Sequence, residues 1–128
     1  MKPRNFESAD EAAVVDLWRR AGLLQNPLND PAEDIAFCLS GGHGEILILE
    51  DDGKVVATAM VGQDGHRGWI YYVAVDPDRQ GEGLGQRIGR AAEERLKAQG
   101  VPKVHLMVRG GNTQVVGFYQ GLGYRVEP

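Results

Sequence analysis

The chain has 128 residues, 42% of them hydrophobic, which lets about two thirds of the unfolded surface be buried in one core without metals or disulfides. Fourteen Lys and Arg stand against 18 Asp and Glu for a formal net charge of −4, and the basic residues are dispersed along the chain. That distribution excludes a nucleic-acid surface and leaves room for a cationic acceptor such as an amine. The one cysteine, Cys38, has no partner for an internal disulfide; beside Ile35 and Leu39 in a helical pattern it reads as a small buried hydrophobe. The opening MKPRNFESAD has no apolar signal core, and no apolar run approaches the length of a membrane span, so a cytoplasmic, reduced protein is expected.

In chain order, residues 2 to 6 read as a short first strand. Ser8 with Glu11 forms a capping box that opens a helix through about Ala21, with Val14, Leu17 and Trp18 on one face and Gly22 ending it. Asn29 or Asp30 caps a second helix with Pro31 at its first position, and Gly41-Gly42 closes it. EILILE, the turn DDGK and VVATAMV predict an antiparallel hairpin. The loop QDGHRG leads to a central strand from Trp69 to Val75. After a glycine-rich turn, an amphipathic helix starts near Leu84 and stops at Gly100, and Lys103 to Val108 makes another buried strand. Asn112 caps a last helix to about Gly121, leaving Tyr124 to Val126 for a final short strand. There is no repeat, linker or low-complexity tract.

The junction WIYYVAV, DPDRQGEGLG, QRIGRAAEERLKAQG is the most informative segment. Gly81, Gly83 and Gly85 let the main chain approach a ligand without Cβ obstruction, and the following helix points free N–H groups and its positive dipole end there. Such a junction suits an anion, foremost a phosphate. A P-loop needs Gly-Lys followed by Ser or Thr, which is missing, and a dinucleotide fingerprint needs glycine where Ile88 stands.

This segment resembles the acyl-CoA signature of the GNAT superfamily of N-acetyltransferases: a Val-Ala-Val strand end followed by Gln80-Gly81-Glu82-Gly83-Leu84-Gly85. The element order matches over nearly the whole chain. LWRRAGLLQNPLNDPAEDIAF, GQDGHRGWIYYVAV and GVPKVHLMVRGGNTQVVGFYQGLGY are similar to the small bacterial acetyltransferases of the YpeA type, which implies no particular acceptor. The resemblance implies an α/β (α+β) fold over residues 1 to 128 as a single acyl-CoA N-acyltransferase domain: a mixed central sheet with an antiparallel N-terminal meander, splayed central strands and flanking helices. It implies acetyl-CoA as the cofactor, its pyrophosphate on the loop from Gln80 to Gln86 and its pantetheine arm on the main chain of Val73, Ala74 and Val75.

Acyl transfer from a thioester to a neutral amine requires alignment, polarisation of the carbonyl, removal of an amine proton and help for the departing thiolate. NTQVVGFYQGLGY resembles the family segment in which a tyrosine follows an asparagine by seven residues, so Tyr119 is implied as the group serving the thiolate and Asn112 as a pantetheine contact. The same positions also suit core packing with Val115, Phe118 and Leu122, and an N-cap. A phenol near pKa 10 giving its proton to a thiolate near 8.5 is uphill by about 2 kcal/mol, so hydrogen bonding serves as well as full transfer. The carboxylate that many members carry early in the central strand is replaced by Trp69. Asp64, His66, Tyr71 and Tyr72, or a bound water, remain as candidate bases, with Arg67 in the same loop; DGHRG reads equally as a solvated Asp-Gly turn. A lysine-like amine gives up about 4.6 kcal/mol to be neutral at pH 7 and an α-amine only about 1.4, so a site without a strong base favours the latter.

The family continues past Gly-Tyr through further strands, whereas the sequence ends at Arg125-Val126-Glu127-Pro128. A shortened C-terminal strand region is therefore expected, the last strand absent or supplied by a partner, and the exposed edge admits a homodimer. No Cys or Ser lies in an activated-nucleophile setting, which points to direct transfer to a small-molecule or peptide amine in a ternary complex, with no metal. An acyl-CoA-binding regulatory module without turnover, and a ribosomal-protein-type N-terminal acetyltransferase, stay open as alternatives.

Overall fold

A computed structural model describes residues 1–108 and 112–127. Strands β1 (Arg4–Asn5), β2 (Gly44–Asp51), β3 (Lys54–Gln63), β4 (Gly68–Val75) and β5 (Val104–Leu106) form one sheet in sequential order. The pairs are antiparallel as far as β4, and β5 lies parallel to β4, as the α+β reading expects. Helices α1 (Glu11–Arg20), α2 (Pro31–Ser40), α3 (Leu84–Ala98) and α4 (Thr113–Gly121) flank it. Among the described residues, no helix is long and apolar enough to cross a membrane.

Local chemistry sets most boundaries. Asp52 and Gly53 both take positive φ, 53° and 78°, the conformation of a two-residue type I′ turn, and so register Asp51 opposite Lys54. Asp30 caps α2, its Oδ1 accepting from the N–H groups of Ala32 at 2.9 Å and Glu33 at 3.2 Å. The expected box at Ser8 and Glu11 is displaced: a turn of 3₁₀ helix at Ser8–Asp10 precedes α1, and the Glu7 N–H donates to Asp10 Oδ2 at 2.7 Å. Arg4 decides this, because its guanidinium grips both Asp10 oxygens at 2.8 and 2.9 Å and reaches Glu50 at 2.7 Å, pinning β1 to the start of α1.

The expected strand at Tyr124 to Val126 does not form. Gly123 turns left-handed at φ 102° to close α4, and the Tyr124 N–H donates to the Tyr119 carbonyl at 3.0 Å. That backbone group is committed to the helix end and its ring meets Tyr119 edge-on, centroids 5.7 Å apart.

Helices cover both faces of the sheet, which explains the unbroken apolar run of β2. Leu47 and Leu49 pack with Ala57, Ala59, Val61 and Ile70 against α3, whose Leu84, Ile88, Ala92 and Leu96 face them. Ile46 and Ile48 pack with Val55, Met60 and Ala74 against Val14, Leu17 and Trp18 of α1 and Ile35 of α2.

The Arg4 hydrogen bonds hold the Asp10 carboxyl below its ordinary value of 3.8. A depressed folded-state pKa stabilises above the unfolded value and is lost as pH falls through the folded one. Asp10→Asn is therefore expected to lower the urea midpoint at pH 7, and the gap from the parent is expected to close as pH is taken below 3.8.

Candidate active site

The strand-turn-helix junction folds as its composition dictates. Asp76 Oδ1 accepts from the Asp78 N–H at 2.9 Å and starts a 3₁₀ turn at Pro77–Arg79. Gly81 and Gly83 take φ of 85° and 78°, and a Cβ on either meets nothing within 4 Å. Gly83 is the N-cap of α3 and has no side chain to offer; the first helical bond runs from the Arg87 N–H to the Gly83 carbonyl at 3.1 Å. The N–H groups of Leu84, Gly85 and Gln86 thus have no intrahelical acceptor and face the open side of the loop. Gly85 has a different use: a Cβ there comes within 3.3 Å of Phe118 Cζ and 3.6 Å of Val75 Cγ2, so it sets how closely α3 approaches β4 and α4. Arg79 staples the loop to the β2–β3 turn, binding Glu82 at 2.9 and 3.0 Å and Asp51 at 2.9 Å.

β4 reaches this loop through an irregularity. Met60 pairs with Tyr71 and Thr58 with Ala74, so two residues, Tyr72 and Val73, stand opposite Ala59 alone. This is a β-bulge, with Tyr72 at φ 49°, a conformation that costs a tyrosine about 1–2 kcal/mol. The added residue puts Tyr72 on the α1 face with its neighbour Tyr71, which pairs with Met60, and puts Val73 and Val75 on the α3 face. β5 follows β4 only from Gly68 to Ile70, and the stretch from Tyr71 to Val75 has no β5 partner among the described residues. β4 and β5 thus part company beyond Ile70 and Leu106 among the described residues.

Between these parts runs a cleft of about 1830 Å³. At one end lie Gln80, Gly81, Gly83, Leu84, Gly85 and Gln86; along the middle, Val73, Ala74 and Val75 on one wall face Asn112 and Tyr119 on the other. At the far end Asp64 and Tyr71 join the lining. Glu82 is not part of it, being tied to Arg79, and His66 and Arg67 also fall outside it. Their loop is an Asx turn, with the N–H groups of His66 and Arg67 donating to Asp64 Oδ1 at 2.9 and 2.7 Å. The sequence reading missed Asp34, Phe37 and His43, which also line the cleft; α2 brings the first two and the segment after it brings His43, by long-range packing that no local motif announces. Asn112 caps α4 through the Val115 N–H at 3.3 Å, which leaves its amide nitrogen to donate elsewhere.

The Acetyltransferase (GNAT) family model matches residues 12–124. The chain belongs to this family. Over 124 residues it is 43% identical to a protein named as an acetyltransferase in Pectobacterium atrosepticum, spanning 97% of this chain and 87% of that one. A second protein so named, from Sodalis glossinidius, is 41% identical over 99% of this chain and 89% of its own. Among solved structures, the Escherichia coli ribosomal-protein-S18-alanine N-acetyltransferase superposes with a TM-score of 0.85 at 25% identity, over 99% of this chain and 79% of that one. AAC(6')-Iy in complex with the bisubstrate analogue CoA-S-monomethyl-acetylneamine shares the fold, with a TM-score of 0.84 at 15% identity over 98% and 90%. The protein is thus an acyl-CoA-dependent N-acetyltransferase, a family that uses acetyl-CoA.

The titratable groups of this GNAT cleft stand on either side of neutrality. Burial raises the Tyr119 phenol, and burial with the nearby Asp64 charge raises Tyr71. Burial and the hydrogen bond to Asp34 raise Tyr72 further. Asp64 is held below the ordinary carboxylate value by the N–H groups of Arg67 and His66. Trp69 is half-buried between the rings of Tyr71 and His105.

The two glycine roles separate by mutation. Gly83→Ala is expected to lose about 1 kcal/mol from its left-handed backbone alone, with no neighbour to relieve it. Gly85→Ala is expected to lose stability against Phe118 and to regain it when combined with Phe118→Leu. Urea unfolding of the single and double variants measures both.

Proposed function

We propose that this N-acetyltransferase moves the acetyl group of acetyl-CoA directly to a primary amine bound at the far end of the cleft. The observation that carries the reading is the alignment along one cleft of an amide-rimmed glycine loop, a splayed β4 and a half-buried tyrosine on the facing wall. The open cradle over Gly81 and Gly83 fits a pyrophosphate, and the free edge of β4 fits an arm that pairs with main chain. When bound, acetyl-CoA supplies an activated acetyl group on a thiol leaving group.

In this reading the N–H groups at the start of α3 hold the pyrophosphate, and the main chain of Val73 to Val75 holds the arm. The Val73 N–H, at the bulge, donates to the thioester carbonyl oxygen. The amide nitrogen of Asn112 donates to the arm from the opposite wall. Tyr119 donates its hydroxyl hydrogen bond to the departing sulfur; its raised pKa keeps the phenol protonated and makes stabilisation, rather than complete proton transfer, its contribution.

The acceptor arrives beside Tyr71 and Asp64. Neither group is tuned as a base near neutrality, since one is raised from an already high value and the other lowered from an already low one. An amine that is substantially neutral on its own, such as an α-amine, suits this end. The Escherichia coli structural neighbour, whose name specifies an alanine of a ribosomal protein, supports a peptide N-terminus as one such acceptor.

Thermal unfolding tests the cofactor site directly: acetyl-CoA or CoA at a hundred times its dissociation constant is expected to add about 2.7 kcal/mol, a shift of several degrees, and ATP none. Tyr119→Phe is expected to cut thiol release with an α-amine acceptor at least about tenfold while calorimetric binding of acetyl-CoA stays near the parent value. An unchanged rate removes Tyr119 from the mechanism.

A further inference from the structure

Thr58 is the one fully buried polar side chain in the core of the described residues. It sits on β3 beside the bulge and outside the cleft. Its Oγ1 accepts from Trp18 Nε1 at 2.9 Å and donates to the Tyr72 carbonyl at 3.1 Å. The direction of this relay is fixed by chemistry. An indole N–H only donates, so the single hydroxyl proton of Thr58 is left for the carbonyl. The Tyr72 ring stacks on Trp18, centroids 3.9 Å apart and planes 7° from parallel, and its hydroxyl donates to Asp34 Oδ2 at 2.6 Å. A valine fills the same volume as threonine and needs no hydrogen bonds, so the value of a buried hydroxyl here lies in the two bonds it makes.

The Tyr72 carbonyl and the Val73 N–H belong to one planar trans peptide and point in opposite directions. Whatever fixes the first therefore aims the second. Neither residue has a register partner on β3, so the ladder itself does not set the rotation of this peptide. We propose that Thr58 is a positioning residue for acyl transfer: its bond to the Tyr72 carbonyl on the α1 side locks the peptide so that the Val73 N–H faces the cleft. Trp18 and Asp34 hold the two ends of this clamp. The proposal rests on the reading of the Val73 N–H as the donor to the thioester carbonyl.

Difference infrared spectroscopy of acetyl-CoA labelled with carbon-13 at the acetyl carbonyl tests it without an identified acceptor. In the parent protein and in Thr58→Ser, the bound carbonyl band is expected at lower wavenumber than in free acetyl-CoA. In Thr58→Val it is expected to return to the free position while calorimetric affinity is largely kept. Because Thr58→Val strands the Trp18 N–H, the double variant Trp18→Phe/Thr58→Val is measured beside Trp18→Phe; the displacement is expected to survive in the single variant and vanish in the double. A Thr58→Val band like the parent's, a double variant that keeps the displacement, or a serine variant that fails to rescue overturns the positioning role alone; an unshifted band in the parent with acetyl-CoA bound overturns the Val73 N–H donor reading and this proposal with it. A parent protein that does not bind acetyl-CoA overturns the cofactor reading and this proposal together.

Discussion

One extra residue in β4 sets the phase on which the active centre depends. Side chains of a strand alternate between faces, so inserting a single residue moves everything downstream to the opposite side. Here Ile70 faces α3, Tyr71 and Tyr72 both face α1, and from Val73 onward the α3 face is regained at Val73 and Val75. The same local twist comes where β4 and β5 part company, since their pairing ends at Ile70 and Leu106. The peptide at Val73 that lacks a register partner and the close pair of tyrosines are two consequences of that residue. The bulge itself is sustained by packing far from the cleft: a left-handed tyrosine persists because Trp18, Thr58 and Asp34 together hold its ring, carbonyl and hydroxyl.

In the proposed reading the phosphate end works by geometry more than by side-chain charge. The two arginines that line the cleft among the described residues are both committed to carboxylates, Arg20 to Asp16 and Asp76, Arg79 to Glu82 and Asp51. Their role is to hold Asp76 and the loop in place, which leaves the backbone N–H groups of α3 and the helix dipole to address an anion. A loop built this way is preorganised before a ligand arrives, and that saves ordering entropy on binding.

What the sequence made legible was what local chemistry decides. Asp30 before Pro31, the Asp-Gly turn, Asn112 before α4 and the glycine loop are each specified within a few residues, and each folds as read. The cap of α1 was misplaced by one register because the decisive partner, Arg4, comes from a separate strand. The bulge left no local mark: YYVAV reads as an ordinary strand, and the stabilising partners lie 14 and 38 positions away. The acceptor end was half legible for the same reason. Asp64 and Tyr71 adjoin the central strand in sequence, whereas Asp34, Phe37 and His43 reach the cleft only through the packing of α2 and the segment after it.

The ring of Trp69, early in the central strand, bears on which amines the proposed acceptor end suits. An indole ring cannot accept a proton there, and it lies half-buried against the rings of Tyr71 and His105. Asp64 remains ionised, but its turn hydrogen bonds lower its basicity, and the raised phenol of Tyr71 stays protonated near neutrality. In the proposed reading neither of these two groups takes the amine proton, and an acceptor already neutral in solution needs no base from them. Each unit of acceptor pKa above the working pH costs about 1.4 kcal/mol in the neutral fraction, which in the proposed reading favours amines of low basicity.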